Sequence, residues 1–436
     1  MMHFGLLCPA LTGHLNTLLP LGQALQKSGH RVTLVGLLDA EPTTLAAGLE
    51  FRPIAEAKRP AGAMAELTAQ ASTLSGRAAL RYAVKVFQQD AALLLREAPA
   101  VIKAAGIDAL LIDQTSRGGG TVAEFLNLPF ITLCSALVLN REPTIPPFNT
   151  SWRYHPAWWA QLRNRLGYGL LSRVTQPITA VVAEYRRTWN LPPHSHSNDA
   201  YSQLAQISQQ PAELEFPRQQ LPPWFHFTGP YHGAGSREPI PFPWEKLTGQ
   251  PLIYASMGTV LGRFKGVFQQ IATACEGLDA QLVISLGGPI PPETLPTLPG
   301  APLVVSYAPQ LELLRRAALT ITHAGMNTTL ESLSNGVPLV AIPIANDQPG
   351  VAARVAWTGA GVVVPLKRLR VPRLRQAIAQ VLTHNSYRKH ARRLQTAIQR
   401  AGGVDQAVEI IMQAVSTGKP VLKETGPQAQ AKLSRG

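Results

Sequence analysis

The sequence predicts an α/β fold built from two doubly wound parallel sheets, each a Rossmann-like domain. Short apolar runs alternate with longer helical stretches in both halves of the 436-residue chain, which is the pattern of a parallel sheet covered by helices. Between the halves, residues 229–250 are rich in proline and glycine, as linkers are. We therefore expect an N-terminal domain at residues 1–228 and a C-terminal domain at residues 251–403.

The first half of the chain supplies four apolar runs that predict strands. They lie at residues 3–8, 31–36, 108–113 and 128–134. A helix is predicted at residues 82–104. Proline is tolerated in a helix only near its start, so Pro20 places His14 in the loop that precedes the first helix. From residue 143 to 169 the alternation fails, and aromatic side chains are concentrated there.

The second half begins a new sheet and ends in helices. Its first apolar runs lie within residues 251–258, 280–288 and 301–309, and two helices are predicted at residues 372–383 and 386–401. Residues 404–416 predict a final amphipathic helix. The polar segment 419–436 is expected to be disordered, as many chain ends are.

The most informative stretch lies around two further apolar runs, residues 319–322 and 337–344, which predict buried parallel strands. A short helix is predicted between them, capped by Asn327 or Thr328 and ended by Gly336. The loop before this helix lies at the carboxyl end of a strand, where ligands bind in open α/β sheets.

The residues of this loop and helix suit a phosphate-bearing ligand. Gly325 allows the backbone to approach a ligand closely, and His323 adds a side-chain donor. Glu331, predicted on the first helical turn, suits ribose hydroxyls because a carboxylate accepts hydrogen bonds. Three backbone N–H groups at the helix start would favour phosphate, those of Met326, Asn327 and Thr328. The alternative is an ordinary crossover in which His323 and Glu331 are capping residues.

Taken whole, this stretch resembles the nucleotide-sugar signature of the UDP-glycosyltransferases, which transfer a sugar from a UDP-sugar to small acceptors. The resemblance implies the GT-B architecture, in which two domains face each other across a cleft and helix 404–416 packs back on the N-terminal domain. It assigns the diphosphate and ribose contacts of the donor to "HAGMNTTLE". It assigns the base and ribose end to "YAPQ", with Tyr307, Ala308 and Gln310, and the sugar end to Asp347 and Gln348.

Two positions depart from the plant members of this family. Tyr307 stands where those members stack a tryptophan on uracil, and Met326 replaces a tryptophan in the signature. Tyrosine can still stack on a base, and Met326 still contributes its backbone N–H. The departures leave the nucleotide-sugar class intact and leave UDP and TDP open as the nucleotide.

Sugar transfer also needs a base, and His14 is the candidate. The segment "TGHLNTLLPLGQAL" resembles the family's pattern of Gly-His before a Pro-bearing helix, in which histidine is the general base. Imidazole suits this role because its pKa lies near neutrality. By resemblance, Asp113 holds the second ring nitrogen of His14, much as in a hydrolase triad. The alternatives are a loop histidine at a helix start and a carboxylate that caps a strand end.

The departing diphosphate would be stabilised from both domains. Ser256, Gly258 and Thr259 follow a predicted strand and offer hydroxyls and backbone N–H groups. Gly13 would close over the diphosphate from the N-terminal domain. The chain has no Asp-x-Asp motif, which glycosyltransferases of the other architecture use to hold a divalent cation. We therefore expect no metal and no cofactor besides the UDP-sugar.

The acceptor is indicated by residues 108–150, which resemble the zeaxanthin glucosyltransferases of carotenoid pathways. This resemblance implies inverting transfer from UDP-glucose to a hydroxyl of a long apolar polyene. Four aromatic side chains would wall an apolar pocket: Phe148, Trp152, Trp158 and Trp159. A surface helix that packs its aromatics on the core explains them equally well. A sterol, a macrolide or another lipid alcohol is the alternative acceptor, and a UDP-sugar epimerase or hydrolase is the alternative enzyme.

Composition limits the setting and the partners of the protein. The formal net charge is +14, yet the sequence has no zinc finger, aromatic RNA-binding signature or basic helix, so no nucleic-acid partner is expected. The scattered basic residues fit a solvated surface and a weak attraction to anionic lipid equally well. Three isolated cysteines indicate a reducing compartment. We expect a cytoplasmic monomer that meets a membrane only at its periphery.

Overall fold

The computed structural model describes residues 1–74, 76–231, 240–258, 265–288 and 291–423. Within these ranges the chain forms two parallel sheets flanked by helices. The strands of the first sheet are β1 (His3–Leu7), β2 (Arg31–Gly36), β3 (Glu50–Pro53), β4 (Ala109–Asp113), β5 (Phe130–Cys134), β6 (Gln206–Ser208) and β7 (Phe225–Phe227). Those of the second are β8 (Leu252–Ser256), β9 (Gln281–Ser285), β10 (Leu303–Val305), β11 (Ala317–Thr322), β12 (Leu339–Ala341) and β13 (Gly361–Val363).

Thirteen α-helices are found in the described ranges. The N-terminal half contains α1 (Thr12–Lys27), α2 (Glu41–Ala46), α3 (Ala63–Thr73), α4 (Gly76–Ala105), α5 (Gly119–Phe125) and α6 (Trp158–Thr188). The C-terminal half contains α7 (Lys265–Cys275), α8 (Gln310–Leu314), α9 (Met326–Ser334), α10 (Gln348–Thr358), α11 (Val371–Thr383), α12 (Asn385–Arg400) and α13 (Gly403–Thr417).

Both sheets have the doubly wound strand order. The first runs β3-β2-β1-β4-β5-β6-β7 and the second β10-β9-β8-β11-β12-β13. The order reverses between β1 and β4 in one sheet and between β8 and β11 in the other, and these are the points at which such sheets bind ligands. Asp113 ends β4, and Ser256 at the end of β8 pairs in register with Thr322. The predicted fold class is confirmed.

The last helix belongs to the core of the N-terminal half. Apolar residues of α13, among them Ile410 and Ile411, share one buried cluster with Leu15 and Leu18 of α1. The chain then continues as an ordered segment, because Val421 is buried and its N–H donates to the Leu204 carbonyl at 2.9 Å. The expected disorder from residue 419 is therefore wrong for residues 419–423, and residues 424–436 lie outside the described ranges.

The predicted start of the first helix was wrong. α1 begins at Thr12, so His14 lies in its first turn and Pro20 in its interior. The backbone hydrogen bond that proline cannot make is offset by a buried leucine face that includes Leu18 and Leu21, since tertiary packing supplies most helical stability. α6 begins at Trp158, inside the stretch 143–169 for which a surface helix was one of the two interpretations.

The two halves pack closely where α10 meets the loop that follows β5. A Cβ atom built on Gly350 of α10 would lie 2.1 Å from the carbonyl oxygen of Phe148. Nearby, the buried Arg354 of α10 donates from Nε to the carboxylate of Glu215 at 2.7 Å. Since Glu215 is also buried, the ion pair is made away from water, where it depends on its hydrogen bonds.

Gly350→Ala should lower the free energy of unfolding by about 1–3 kcal/mol, because overpacking a tight contact forces the backbone apart. Thermal and urea unfolding would measure the change. The matched control is Gly169→Ala in α6, where a Cβ atom meets nothing within 4 Å, and we expect it to be neutral or stabilising by up to about 1 kcal/mol. Equal effects of the two substitutions would contradict the close contact.

Candidate active site

A histidine–carboxylate pair occupies the reversal point of the first sheet. His14 Nδ1 lies 2.8 Å from Asp113 Oδ2. The side chain of Asp113 is fully buried, whereas that of His14 is 17% exposed. The structure therefore brings together the two residues that the sequence assigned to catalysis. With Nδ1 engaged by Asp113, Nε2 is the ring nitrogen left for an acceptor hydroxyl.

The charge of Asp113 sets the protonation of His14. Burial alone would lower the pKa of His14, but the attraction and hydrogen bond of Asp113 outweigh it, and the net pKa is raised above the ordinary value. Burial would conversely raise the pKa of Asp113, yet His14 and neighbouring hydroxyls hold it below the ordinary range. Asp113 thus stays ionised and stabilises the imidazolium that proton abstraction would create.

Two hydroxyl residues complete this network, and the sequence argument missed both. Ser135 Oγ donates to Asp113 Oδ2 and lies 2.8 Å from His14 Nδ1. Thr115 donates to Asp113 Oδ1 from its backbone N–H at 2.7 Å and from its hydroxyl at 2.5 Å. Ser135 could have been found, since it directly follows β5, the strand paired with β4, and parallel strands end at one edge.

His323 organises the loop at the reversal point of the second sheet. Its ring packs between two glycines, because a Cβ on Gly258 would lie 2.8 Å from the ring and one on Gly325 would lie 2.5 Å from it. Burial lowers the pKa of His323 to about 4, so the imidazole is neutral at neutral pH. It therefore offers a single N–H donor rather than a positive charge.

The helix after this loop starts earlier than predicted. Gly325 is the N-cap of α9 and Met326 its first residue, not Asn327 or Thr328, because the buried Met326 packs into the core of the C-terminal half. The backbone N–H groups of residues 326–328 consequently lie in the first turn, as a phosphate site requires. Glu331 lies in the second turn rather than the first, and Gly336 follows the helix end in a left-handed conformation.

Glu331 is held by side chains of its own domain. Gln310 donates from Nε2 to Glu331 Oε2 and accepts from the Tyr254 hydroxyl at 2.9 Å. Glu331 is buried, as is Ala308, whereas Tyr307 is 45% exposed. Gln310 of the "YAPQ" motif is therefore hydrogen-bonded to the carboxylate, and Tyr307 is partly exposed to solvent.

Asn327 ties the start of α9 to the N-terminal half. Its Nδ2 donates to the Gly13 carbonyl at 2.9 Å, and its Oδ1 accepts from Gln209 Nε2 at 2.8 Å. A Cβ on Gly13 would meet nothing within 4 Å, so this glycine borders open space. The bridging role of Gln209 and Asn327 was not predicted.

Asp347 and Gln348 lie where the loop after β12 meets the start of α10. Asp347 Oδ2 accepts from the Leu137 backbone N–H across the domain boundary at 3.1 Å, and burial raises its pKa. Its charge adds to the effect of Asp113 in raising the pKa of His14. Gln348 Oε1 accepts from the N–H groups of Ile344 and Ala345 at 3.0 and 2.9 Å.

Of the four aromatic residues predicted to wall an acceptor pocket, the structure brings together Trp152 and Trp159, whose ring centres lie 4.8 and 5.7 Å from the guanidinium of Arg163. Phe148 packs at the domain boundary, and the ring of Trp152 packs beside Gly167 on α6. Trp158 and Trp159 are 76% and 47% exposed at the start of α6. All four rings do not form a single cluster, because a helix begins at Trp158 and leaves Trp158 and Trp159 exposed.

The remaining predicted site residue, Thr259, lies outside the described ranges. Among the described residues, no three His, Cys, Asp or Glu side chains are grouped as ligands of a metal ion. No helix in the described part of the chain combines the length and apolar character that crossing a bilayer requires.

Comparison with known proteins identifies the family. The family of UDP-glucoronosyl and UDP-glucosyl transferases matches residues 63–416. The chain belongs to this family. It is a glycosyltransferase, and the resemblance drawn from its motifs is confirmed.

Relatives and solved structures agree with this assignment. Zeaxanthin glucosyltransferase of Pantoea ananas is 33% identical over 432 residues, 98% of this chain and 99% of the relative. Zeaxanthin glucosyltransferase of Pseudescherichia vulneris is 31% identical over 424 residues, which are 97% of this chain and 100% of the relative. The calicheamicin glycosyltransferase CalG4 superposes with a TM-score of 0.74 at 21% identity, with 96% of this chain and 100% of that one covered. Glycosyltransferase VinC in complex with dTDP superposes with a TM-score of 0.67 at 19% sequence identity, and the match covers 96% of this chain and 100% of VinC.

Asp113→Asn should reduce kcat by about 100-fold or more, the usual contribution of a supported general base. It should also move the acidic limb of the kcat/KM profile to lower pH. His14 must be neutral to accept a proton, and without the Asp113 charge the lowering effect of burial on its pKa would dominate. Profiles recorded between about pH 5 and pH 9 would measure both effects.

The control for this substitution is Asp279→Asn, which removes an exposed carboxylate of the C-terminal half. We expect it to leave both kcat and the pH profile unchanged. An acidic limb that stays in place in Asp113→Asn would contradict the electrostatic coupling of His14 and Asp113.

Proposed function

We propose that the protein is an inverting glucosyltransferase that moves glucose from UDP-glucose to the hydroxyl of an apolar alcohol, a carotenoid such as zeaxanthin. The observation that carries the proposal is the position of the His14–Asp113 pair. The pair faces Asp347 across the domain boundary, because Ser135 donates to Asp113 and Leu137, two residues further on, donates from its backbone N–H to Asp347 Oδ2 at 3.1 Å. A sugar held by Asp347 and Gln348 would then lie beside the base.

The proposed reaction is a single displacement. His14 Nε2 takes the proton of the acceptor hydroxyl while its oxygen forms a bond to the anomeric carbon of glucose. The bond from that carbon to the β-phosphate oxygen breaks, and its electron pair leaves with UDP. Because attack and departure occur on opposite faces, the anomeric configuration inverts. Asp113 stays ionised and stabilises the imidazolium formed on His14.

The donor would be held by the C-terminal half. The first-turn N–H groups of α9 and the N–H of His323 suit the diphosphate, and Glu331 suits the ribose hydroxyls. The exposed ring of Tyr307 suits stacking on uracil. Thymidine diphosphate complexes of two structural neighbours, VinC and SsfS6, support a nucleoside diphosphate as the donor component. The family assignment favours UDP.

We propose that no metal takes part. The donor groups available to a leaving diphosphate are a helix N-terminus, a neutral imidazole and the Ser256 hydroxyl, which together provide the stabilisation that a cation supplies elsewhere.

The acceptor is proposed from the relatives. Two proteins that match nearly the full length of the chain carry the name zeaxanthin glucosyltransferase. Such an acceptor is apolar and dissolves in lipid rather than in water. We therefore also propose that the protein is a cytoplasmic monomer that meets the membrane at its periphery.

Transfer of labelled glucose from UDP-glucose to zeaxanthin in detergent micelles, with excess EDTA present, tests the proposal. We expect the glucoside from the wild type. We also expect a loss of about 100-fold or more in His14→Ala, since the base is removed. The control is His384→Ala, which replaces an exposed histidine at the start of α12 and should retain full activity.

Each arm of this assay addresses one part of the proposal. Activity that is lost in EDTA and restored by Mg²⁺ would contradict metal independence. UDP release without a carotenoid glucoside would overturn the acceptor, and sterols and macrolides would be assayed next. Full activity in His14→Ala would overturn the assigned base.

A further inference from the structure

The first half of α6 exposes a continuous apolar strip. Trp158 is 76% exposed, Leu166 68% and Leu170 64%, and Trp159 and Leu162 are about half exposed. Residues 158, 162, 166 and 170 are spaced by four, so they follow one face of the helix. Soluble proteins usually expose large apolar side chains singly, and a contiguous apolar patch marks an interaction site. We call these five residues the α6 strip.

The opposite face of this helix is firmly packed, so the exposure of the strip is not a sign of a loosely attached helix. Ala160 and Asn164 are buried, and Asn164 Nδ2 donates to the Pro143 carbonyl at 2.9 Å. A Cβ atom on Gly167 would lie 2.9 Å from the ring of Trp152. The contacts hold the helix on the domain and turn the α6 strip outward.

Positive charge surrounds the strip. Arg165 and Arg173 are exposed beside it, and the guanidinium of Arg163 lies 4.8 Å from the ring centre of Trp152 and 5.7 Å from that of Trp159. Residues 152–173 contain no Asp or Glu. An apolar strip of Trp and Leu with a basic border has the composition of helices that lie in the interface of anionic membranes.

The strip lies at the edge of the sheet that carries the active site. Trp189, just after α6, stacks on Phe125 with ring centres 4.0 Å apart, and Phe125 ends α5, the helix that leads back to the amino end of β5. α6 therefore ends at the amino edge of the sheet, and because its 31 residues span about 46 Å, its first half extends past the carboxyl edge, where Asp113 and Ser135 lie. The neighbouring helix α4 packs along α6. It adds two exposed apolar side chains, Leu80 and Phe87, to this side of the domain.

We propose that the α6 strip is a docking surface for an anionic lipid bilayer. The tryptophans and leucines enter the interface between headgroups and acyl chains, and Arg165 and Arg173 contact lipid phosphates. Tryptophan is well suited to this depth because its ring is apolar and its N–H is polar. Docking would bring the carboxyl edge of the N-terminal sheet to the bilayer, so that a lipid-dissolved acceptor reaches His14. This consequence rests on the proposed function, whereas docking itself does not.

Flotation of the full chain with vesicles tests the proposal without any substrate. The vesicles are phosphatidylcholine alone or mixed with phosphatidylglycerol. We expect the wild type to float with the anionic vesicles and the double variant Leu166→Gln/Leu170→Gln to partition about tenfold or more weakly, because each exposed leucine gains from burial. Glutamine is a good helix former, and circular dichroism would confirm that the variant is folded.

The matched control is Leu45→Gln/Leu422→Gln, which replaces two exposed leucines, 54% and 61% exposed, that are not on α6. We expect it to bind like the wild type. Arg165→Gln/Arg173→Gln should weaken binding to anionic vesicles and leave the weak binding to neutral vesicles unchanged. None of these variants alters a residue assigned to catalysis or donor binding.

Several outcomes would overturn the proposal. Wild type that stays unbound in the presence of phosphatidylglycerol vesicles would do so, as would equal losses in the strip variant and its control. Equal binding to neutral and anionic vesicles would also overturn it, as would binding to anionic vesicles that Arg165→Gln/Arg173→Gln leaves unchanged. A wild-type dimer that becomes monomeric in Leu166→Gln/Leu170→Gln, measured by sedimentation velocity, would show that a second copy covers the strip. The assays of UDP release and glucoside formation in micelles report separately on the proposed function.

Discussion

The hydrogen bond between His14 and Asp113 is the interaction on which the active site depends. A buried carboxylate is costly unless its oxygens accept hydrogen bonds, and Thr115, Ser135 and His14 supply them. These partners meet because β4 and β5 are neighbouring parallel strands that end at one edge, while α1 starts at the same edge beside β1. The sheet topology thus positions a histidine whose pKa is raised by its carboxylate partner against the lowering effect of burial.

The second constraint is the fit between the two halves. Asn327, in the turn that would receive the diphosphate, is bonded to Gly13 and Gln209 of the N-terminal half. Asp347 accepts a hydrogen bond from Leu137 in the same way. Residues proposed to bind the donor therefore take part in the domain boundary itself. The position of one domain relative to the other and the geometry of the donor site are consequently coupled.

Much of the fold could be read from the sequence because buried parallel strands are apolar runs and the two sheets repeat one pattern. His14 and Asp113 could be named because the first follows a strand in a family motif and the second ends a strand. Helix starts were harder to predict. The burial of Leu18 and Leu21 keeps Pro20 inside α1, and this packing is absent from any local signal.

Contacts between distant segments account for the other misses. Ser135 and Gln209 are ordinary polar residues in sequence, and only the assembled sheet brings Ser135 to Asp113 and Gln209 to Asn327. The aromatic residues of 148–159 looked like a single group, yet the start of α6 separates Phe148 at the domain boundary from Trp158 on the surface. Periodicity identifies a helix but does not decide which of its faces the rest of the chain covers.

The stereochemistry of the product tests the central claim most directly. If His14 activates the acceptor for a single displacement, the α-linked glucose of UDP-glucose must become β-linked in the product, and the proton coupling of its anomeric carbon measured by NMR would show this. A β-glucoside is the predicted result. An α-glucoside would require a second displacement or attack on the same face, and would contradict the role assigned to the His14–Asp113 pair.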